Sequence, residues 1–322
     1  MFIGRTEIID KINHFSGCGE PFLFAVDFEG KTGFVLTPQE AACQGIRYDF
    51  ESHPCETGEN GTGRFDFFPM SFEKYNEAFE KVLYHLKRGD TYLLNLTFAT
   101  PLETGLSLDA LYLMGHARFK LHVPGHFAVF SPEPFVRIDG TGIFSCPMKG
   151  TIDAALPDAR QRLLEDKKEF FEHNTIVDLI RNDLSMVSTQ VSVTRFRYIE
   201  RLHTNRGDLL QMSSEIGGQL PRGYRSRLGD ILFSLLPAGS VTGAPKKRTV
   251  EIIRTVESAP RGFYTGIFGF SDGITLTSAV SIRFIEQTTA GLVFKSGGGI
   301  TALSEAQSEY HEMIKKIYVP VV

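Results

Sequence analysis

The chain has 322 residues, 42% hydrophobic and 22% charged, with 31 glycines and 15 prolines, which excludes a disordered, collagenous or coiled-coil chain and suggests one large domain or about two smaller ones. A formal net charge of −4 provides no basic field for non-specific nucleic-acid binding. No apolar run approaches the ~18 residues of a membrane helix, and Met1–Arg5 lacks a leader pattern, so we expect a cytoplasmic protein without nucleic-acid or membrane partners.

Residues 21–36 read as two strands joined around Glu29-Gly30-Lys31, and the polar, Gly-rich stretch 51–66 as a long loop. Ser71 caps a helix whose apolar stripe is Phe72, Tyr75, Phe79, Val82, Leu83 and Leu86, and Gly89 ends it. Residues 92–99, 126–130 and 134–146 read as strands, the last broken by the turn Asp139-Gly140. From Pro157 to Asp183 the pattern is helical in two pieces that meet at Asp166, an N-cap with Glu169 at the third helical position. Residues 227–236 and 246–257 read as helices around a Gly-rich turn, and 263–295 as strands turning at Asp272-Gly273 and Gly291. Ser304 with Gln307 forms a capping box for a last helix to about Ile317. Hairpins grouped between long helices indicate an α+β fold rather than a parallel βαβ array.

Cys18, Cys43, Cys55 and Cys146 have no CxxC spacing and read as free thiols; His53 and Cys55 lack the second pair that a zinc site needs. Phenylalanine is abundant (27) and tryptophan absent, a skew that composition does not explain.

Four features could carry chemistry. Glu169 and Glu172 lie three residues apart on one helix, and Glu309 and Glu312 three apart on another, so each helix presents two carboxylates on one face. Facing one another they would hold a hard cation such as Mg²⁺; facing water they would be ordinary surface residues. PAGSVTGAPK (237–246) and SGGG (296–299) read as glycine turns whose N–H groups could meet an anion, or as ordinary turns. Lys149 in PMKGT is a nucleophile if its neighbours lower its pKa, and otherwise a solvated lysine. Arg283, inside the apolar strand VSIRF, suits an anionic ligand; Arg137 sits beside a turn.

The ordered motifs SPEPF (131–135), PMKGT (147–151), EHNTIVDLIRNDLS (172–185), LLQMSSEIGGQL (209–220), PAGSVTGAPKKRTVEII (237–253), RGFYTGIFGF (261–270), SIRF (281–284), SGGGI (296–300) and SEAQSEYHE (304–312) resemble the chorismate-utilising enzymes over residues 71–317. That resemblance implies two orthogonally packed antiparallel β-sheets flanked by helices, an α/β/β/α sandwich. Residues 1–70 would be a shortened N-terminal segment packed on the core, and 71–322 the chorismate-binding catalytic domain. It implies Mg²⁺ held by Glu172 and Glu312, with Glu169 and Glu309 as the outer pair. Arg283, Tyr264 and the backbone of Gly297, Gly298 and Gly299 would hold the enolpyruvyl carboxylate. Thr242 and Gly243 would line the pocket, Lys246 and Gln211 would also meet the substrate, and Glu133 would protonate the departing C4 hydroxyl.

Within the family, lysine at position 149 matches the aminodeoxychorismate synthases, whereas anthranilate synthases typically carry alanine. The resemblance implies attack of Lys149 on C2 of chorismate, then addition of ammonia at C4. That chemistry needs a neutral amine, which Lys246 would favour if it points inward. Gln211 stands where the family usually has His, Leu94 where it often has Gln, and Ala238 in place of a common Gly. HFAVF (126–130) lacks the lysine that serves as general base in water-using members. No amidotransferase nucleophile motif is present, so ammonia would come free or from a separate glutamine amidotransferase subunit. Anthranilate synthase component I, isochorismate synthase and a silent chorismate-binding regulatory protein are the alternatives.

Overall fold

The structure, a computed structural model, describes residues 1–50, 65–202 and 208–319. The expected loop lies outside these up to residue 64, as do His53 and Cys55; residues 65 and 66 begin a strand. The strands in chain order are β1 Ile3–Gly4, β2 Phe22–Val26, β3 Thr32–Leu36, β4 Arg47–Phe50, β5 Phe65–Phe67, β6 Leu93–Thr104, β7 Phe119–Val123, β8 Phe127–Ser131 and β9 Pro134–Asp139. They continue as β10 Gly142–Ser145, β11 Met148–Asp153, β12 Thr189–Leu202, β13 Leu209–Gln219, β14 Gly243–Ala244, β15 Ile267–Ser271, β16 Leu276–Val280, β17 Phe284–Thr288 and β18 Gly291–Ile300. The helices are α1 Arg5–Cys18, α2 Pro38–Cys43, α3 Phe72–Lys87, α4 Leu108–Met114, α5 Ala159–Glu165, α6 Lys167–Ser185, α7 Leu228–Ser234, α8 Lys246–Val256 and α9 Ala306–Lys315.

Among the described residues the strands form two antiparallel sheets. One runs β1-β3-β2-β15-β16-β9-β10-β13-β11 with β12 also on β13; the other runs β14-β6-β18-β17-β8-β7-β4 with β5 on β6. The alternation of side chains along a strand sorts the core into layers. In β2, Phe22, Phe24 and Val26 pack with residues of α1, α6 and α7, whereas Leu23 and Ala25 pack toward Phe119, Leu121, Phe127 and Phe284 of the other sheet. In β8, Phe127 and Val129 join that inter-sheet layer, and Ala128 and Phe130 pack under α4. Helices α3, α8 and α9 cover the far face through Tyr75, Phe79, Ile252 and Met313. The abundant phenylalanines find a role between the sheets, where Phe127 stacks on Phe263 and Phe284, and Phe50 meets Phe268 and Phe270.

Asp166 caps α6 as expected, accepting from the Glu169 amide at 3.0 Å. The capping box expected at Ser304 does not form. Glu305 is the N-cap of α9, and the Ser304 hydroxyl instead donates to Glu309 Oε1 at 2.8 Å. SGGG is not a turn either: these residues continue β18 and pair in register with β6, Gly297 opposite Thr97 and Gly299 opposite Asn95.

Two buried polar contacts fasten these layers. Arg261 and Glu257 form an ion pair at 2.7 Å with side chains only 2% and 5% exposed. The Arg261 guanidinium also donates to Asn95 O of β6, to Val241 O and to Thr265 Oγ1. Glu257 Oε1 accepts from both the amide and the hydroxyl of Thr97. On the other face, His173 of α6 is fully buried, and its Nε2 lies 2.7 Å from Ser214 Oγ of β13. Burial, aided by the charges of Arg197 and Lys149, pushes the His173 pKa down to about 4.

Arg261→Met leaves the Glu257 carboxylate buried and uncompensated, and is expected to cost about 3–5 kcal/mol. Urea titration checks it, and the double variant with Glu257→Leu should recover part of the loss; a single variant as stable as the parent would refute the assignment. For His173 the neutral form belongs to the fold, while the unfolded chain takes up a proton near its ordinary value of 6.5. Stability present above about pH 6.5 is therefore lost as pH falls toward 4, by about 2 kcal/mol between pH 7.5 and 5. Denaturant midpoints at the two pH values should show that loss in the parent and not in His173→Gln.

Candidate active site

Lys149 is aimed by a fault in its strand. β11 pairs with β13 as Met148 opposite Ser213 and then Thr151 opposite Gln211, so the register slips across Lys149 and Gly150. A bulge of this kind re-aims a side chain out of the alternation. Gly150 has φ of 81°, and a Cβ there would stand 2.9 Å from Glu169 Oε2, so a residue without a side chain lets α6 close on β11. Lys149 Nζ lies 2.7 Å from Glu172 Oε2. Burial would lower the Lys149 pKa, but the carboxylates of Glu172, Glu169 and Glu312 outweigh it and hold the amine above its ordinary value. The expected lowered pKa is therefore not found: Lys149 is an ammonium. Lys246 does not relieve it, because its own ammonium lies 2.7 Å from Asp183 Oδ2 and donates to Leu235 O.

Three of the four expected carboxylates thus act on one lysine across α6, β11 and α9. The fourth, Glu309, is buried and accepts from Ser304, and with Glu312 it acts on Tyr75. Lys316, which sequence reading passed over, lies 2.8 Å from Glu312 Oε1 and donates to Gly297 O at 3.1 Å. A Cβ on Gly298 would stand in ordinary contact with Glu309 Oε2 and Lys316 Nζ, whereas one on Gly297 would meet Leu96 O at 2.5 Å, so the glycine there lets β18 lie close on β6. In kind, this donor set fits a hard divalent cation: the oxygens are all carboxylate, and lysine ammonium groups stand in for positive charge. Among the described residues no three His, Cys, Asp or Glu side chains are gathered as a ready metal nest.

Glu133, half-buried between β8 and β9, accepts from Ser240 Oγ at 2.5 Å. Burial raises its pKa against the lowering effects of Ser240, Lys149, Arg283 and Lys316, so it keeps a proton to higher pH than an exposed glutamate. Arg283 (φ 53°) stands over the Tyr318 ring at 5.1 Å, and its Nε is buried without a hydrogen-bond partner. The β17–β18 register ends with Phe284 opposite Lys295, so Arg283 and Ser296 both lie just past the last pair. Ser296 Oγ, too, is buried without a partner. Two unmet polar atoms there suit an anionic ligand. Tyr264 is buried, and burial raises its pKa while the charges of Arg261 and Arg283 oppose the rise.

Thr242 is fully buried and its hydroxyl donates to Ala238 O, within the loop itself. Gly243 (φ 127°) pairs with Leu94, and a Cβ on it would meet Leu93 O at 1.8 Å, so only glycine lets this loop reach β6. Gln211 lies on β13 between Thr151 and Glu200, two residues along β11 from Lys149. Ser240, Ser296 and Lys316 were not singled out from the sequence. Ser240 lies inside a motif read for its glycines, and Lys316 is an ordinary lysine at a helix end until the fold brings it to Gly297 O of β18.

The chorismate binding enzyme family matches the chain over residues 33–321. An uncharacterized PabA-like protein of Pasteurella multocida is 47% identical over 317 residues, which span 97% of this chain and 98% of that protein. Aminodeoxychorismate synthase component 1 of Escherichia coli is 30% identical over 264 residues, 77% of this chain and 57% of that protein. Anthranilate synthase component I of Streptococcus pneumoniae matches in structure with a TM-score of 0.69 at 27% identity, over 79% of this chain and 58% of that one. Among the described residues no helix is long and apolar enough to cross a membrane. The two antiparallel sheets, the site gathered where they meet α6 and α9, and these matches agree: the chain belongs to the chorismate binding enzyme family.

Proposed function

We propose that this chain is aminodeoxychorismate synthase component I, replacing the C4 hydroxyl of chorismate with ammonia to give 4-amino-4-deoxychorismate, on the route to p-aminobenzoate and folate. The chain is a chorismate-utilising enzyme related to such synthases. The observation that carries the finer reading is Lys149, set by the β11 bulge against Glu172 and within the field of Glu133.

In this reading Arg283, Tyr264, Ser296 and the Gly297–Gly299 backbone hold the enolpyruvyl carboxylate. The unmet Nε and Oγ of Arg283 and Ser296 support this. Glu172 and Glu312, with Glu169 and Glu309 behind them, would hold Mg²⁺, which when bound supplies positive charge beside the ring carboxylate. Lys149, once its ammonium has given up a proton to solvent, forms a bond from Nζ to C2, both ring double bonds shift, and the C4–O bond breaks. Glu133, whose pKa burial raises, gives its proton to the departing hydroxyl, which leaves as water. Ammonia then bonds to C4 and passes a proton back to Glu133, both double bonds return, and the C2–N bond breaks to release Lys149 as the neutral amine. The sum is chorismate plus ammonia giving aminodeoxychorismate plus water. Ser240 steadies Glu133. A separate glutamine amidotransferase subunit, or free ammonia, supplies the nitrogen.

The test is a product analysis. Purified protein with chorismate, Mg²⁺ and ammonium at mildly alkaline pH should yield p-aminobenzoate only when an aminodeoxychorismate lyase is added. Anthranilate formed without the lyase would overturn the reading. Lys149→Ala should lower C4 amination by about a thousandfold or more while chorismate affinity changes little. Amination by that variant at the parent rate would remove Lys149 as nucleophile.

A further inference from the structure

The two lysines of the site lie on the two carboxylates that the proposed function assigns to the cation. Lys149 Nζ is 2.7 Å from Glu172 Oε2, and Lys316 Nζ is 2.8 Å from Glu312 Oε1. These contacts differ in kind. Lys316 sits four residues beyond Glu312, at the C-cap of the same helix, and the pair is 27% and 48% exposed. Such a local, wet pair is weak and exchanges readily. Lys149 comes from a different element, is fixed by the β11 bulge, and meets a Glu172 that is only 10% exposed. A glutamate oxygen that accepts a charge-assisted bond from an ammonium does not coordinate a small cation in the same direction.

We propose that Lys149 competes with the divalent cation for Glu172, so that the resting site binds the cation weakly and holds its nucleophile until the cation takes that carboxylate. The inference rests on the proposed function for the cation's identity. It assigns Lys149 a second role, as gate on cation binding. Lys316 competes in the same way at Glu312, with smaller effect because its pair is more exposed.

The probe is Mn²⁺, titrated by electron paramagnetic resonance into the full chain without chorismate. Lys149→Met should bind Mn²⁺ about tenfold more tightly than the parent, because one competing charge is removed from a partly buried pair. Lys149→Arg keeps the charge and should stay close to the parent, while Lys316→Met should gain less than Lys149→Met. Adding Glu172→Gln to Lys149→Met should abolish the gain, which places the effect at that carboxylate. Lys149→Gln provides a second neutral variant, and denaturation midpoints confirm that the proteins compared are folded. Equal or weaker Mn²⁺ binding by both neutral variants overturns the inference, as does absence of binding in all proteins. If the parent makes aminodeoxychorismate and the neutral variants bind no tighter, only this inference fails. If they bind tighter and the parent makes no aminodeoxychorismate, the inference stands and the proposed reaction fails.

Discussion

The guanidinium of Arg261 is the joint on which the site depends. It lies at the entrance to β15 in one sheet and reaches the backbone of β6 in the other, with the turn at Val241 as its third contact. Glu257 balances its charge and extends the reach to Thr97. Burying two charges is unfavourable unless their hydrogen-bonding capacity is filled, and here backbone carbonyls, a threonine hydroxyl and an amide fill it. The contacts are directional, so β6 is fixed in position as well as held. Because β6 pairs with the glycine run of β18, the backbone on which α9 rests is fixed with it.

On that frame the chemistry is a balance of charge. Glu169, Glu172 and Glu312 would repel one another and draw apart α6 and α9 if nothing positive lay among them. Lys149 and Lys316 supply that charge. The same contacts that let the carboxylates coexist also hold the Lys149 pKa above its ordinary value. Glu133 stands in the opposite condition. Burial raises its pKa, and the Ser240 hydroxyl donates to it. The two groups are thus held differently: Glu133 by burial and one hydroxyl, Lys149 by the carboxylates around it.

Much of this was legible in the chain, where the signal was local. The Asp166 cap, the stripe of α3 and the glutamate spacing on α6 and α9 depend on residues within one or two turns of each other. Where a residue had two possible partners, the local signal failed. Ser304 has the spacing of a cap, but a buried glutamate took its hydroxyl. Three glycines read as a turn because glycine marks both turns and places where another element approaches closely; here the approach of β6 at Gly297 was the reason. The strands β12 and β13 escaped notice because register shifts and charged residues break the two-residue period that reveals a strand. Helix α1 has Gly4 at its N-cap and no side-chain cap, so its start carries no sequence mark. Lys246 was read toward the substrate, and only the fold could show Asp183 waiting for it.

The bulge at Lys149 and Gly150 has a consequence for how the chain can vary. In a regular strand, every residue is committed to one face, and its size and polarity are dictated by what that face meets. At the slip between Met148 and Thr151, this obligation lapses, while the residues on either side keep theirs. Position 149 is therefore a socket: its occupant can be exchanged for a shorter or uncharged side chain without altering the inward and outward order of the sheet. A substitution there leaves the pairing of the sheet as it is, and what it changes is the charge set against Glu172.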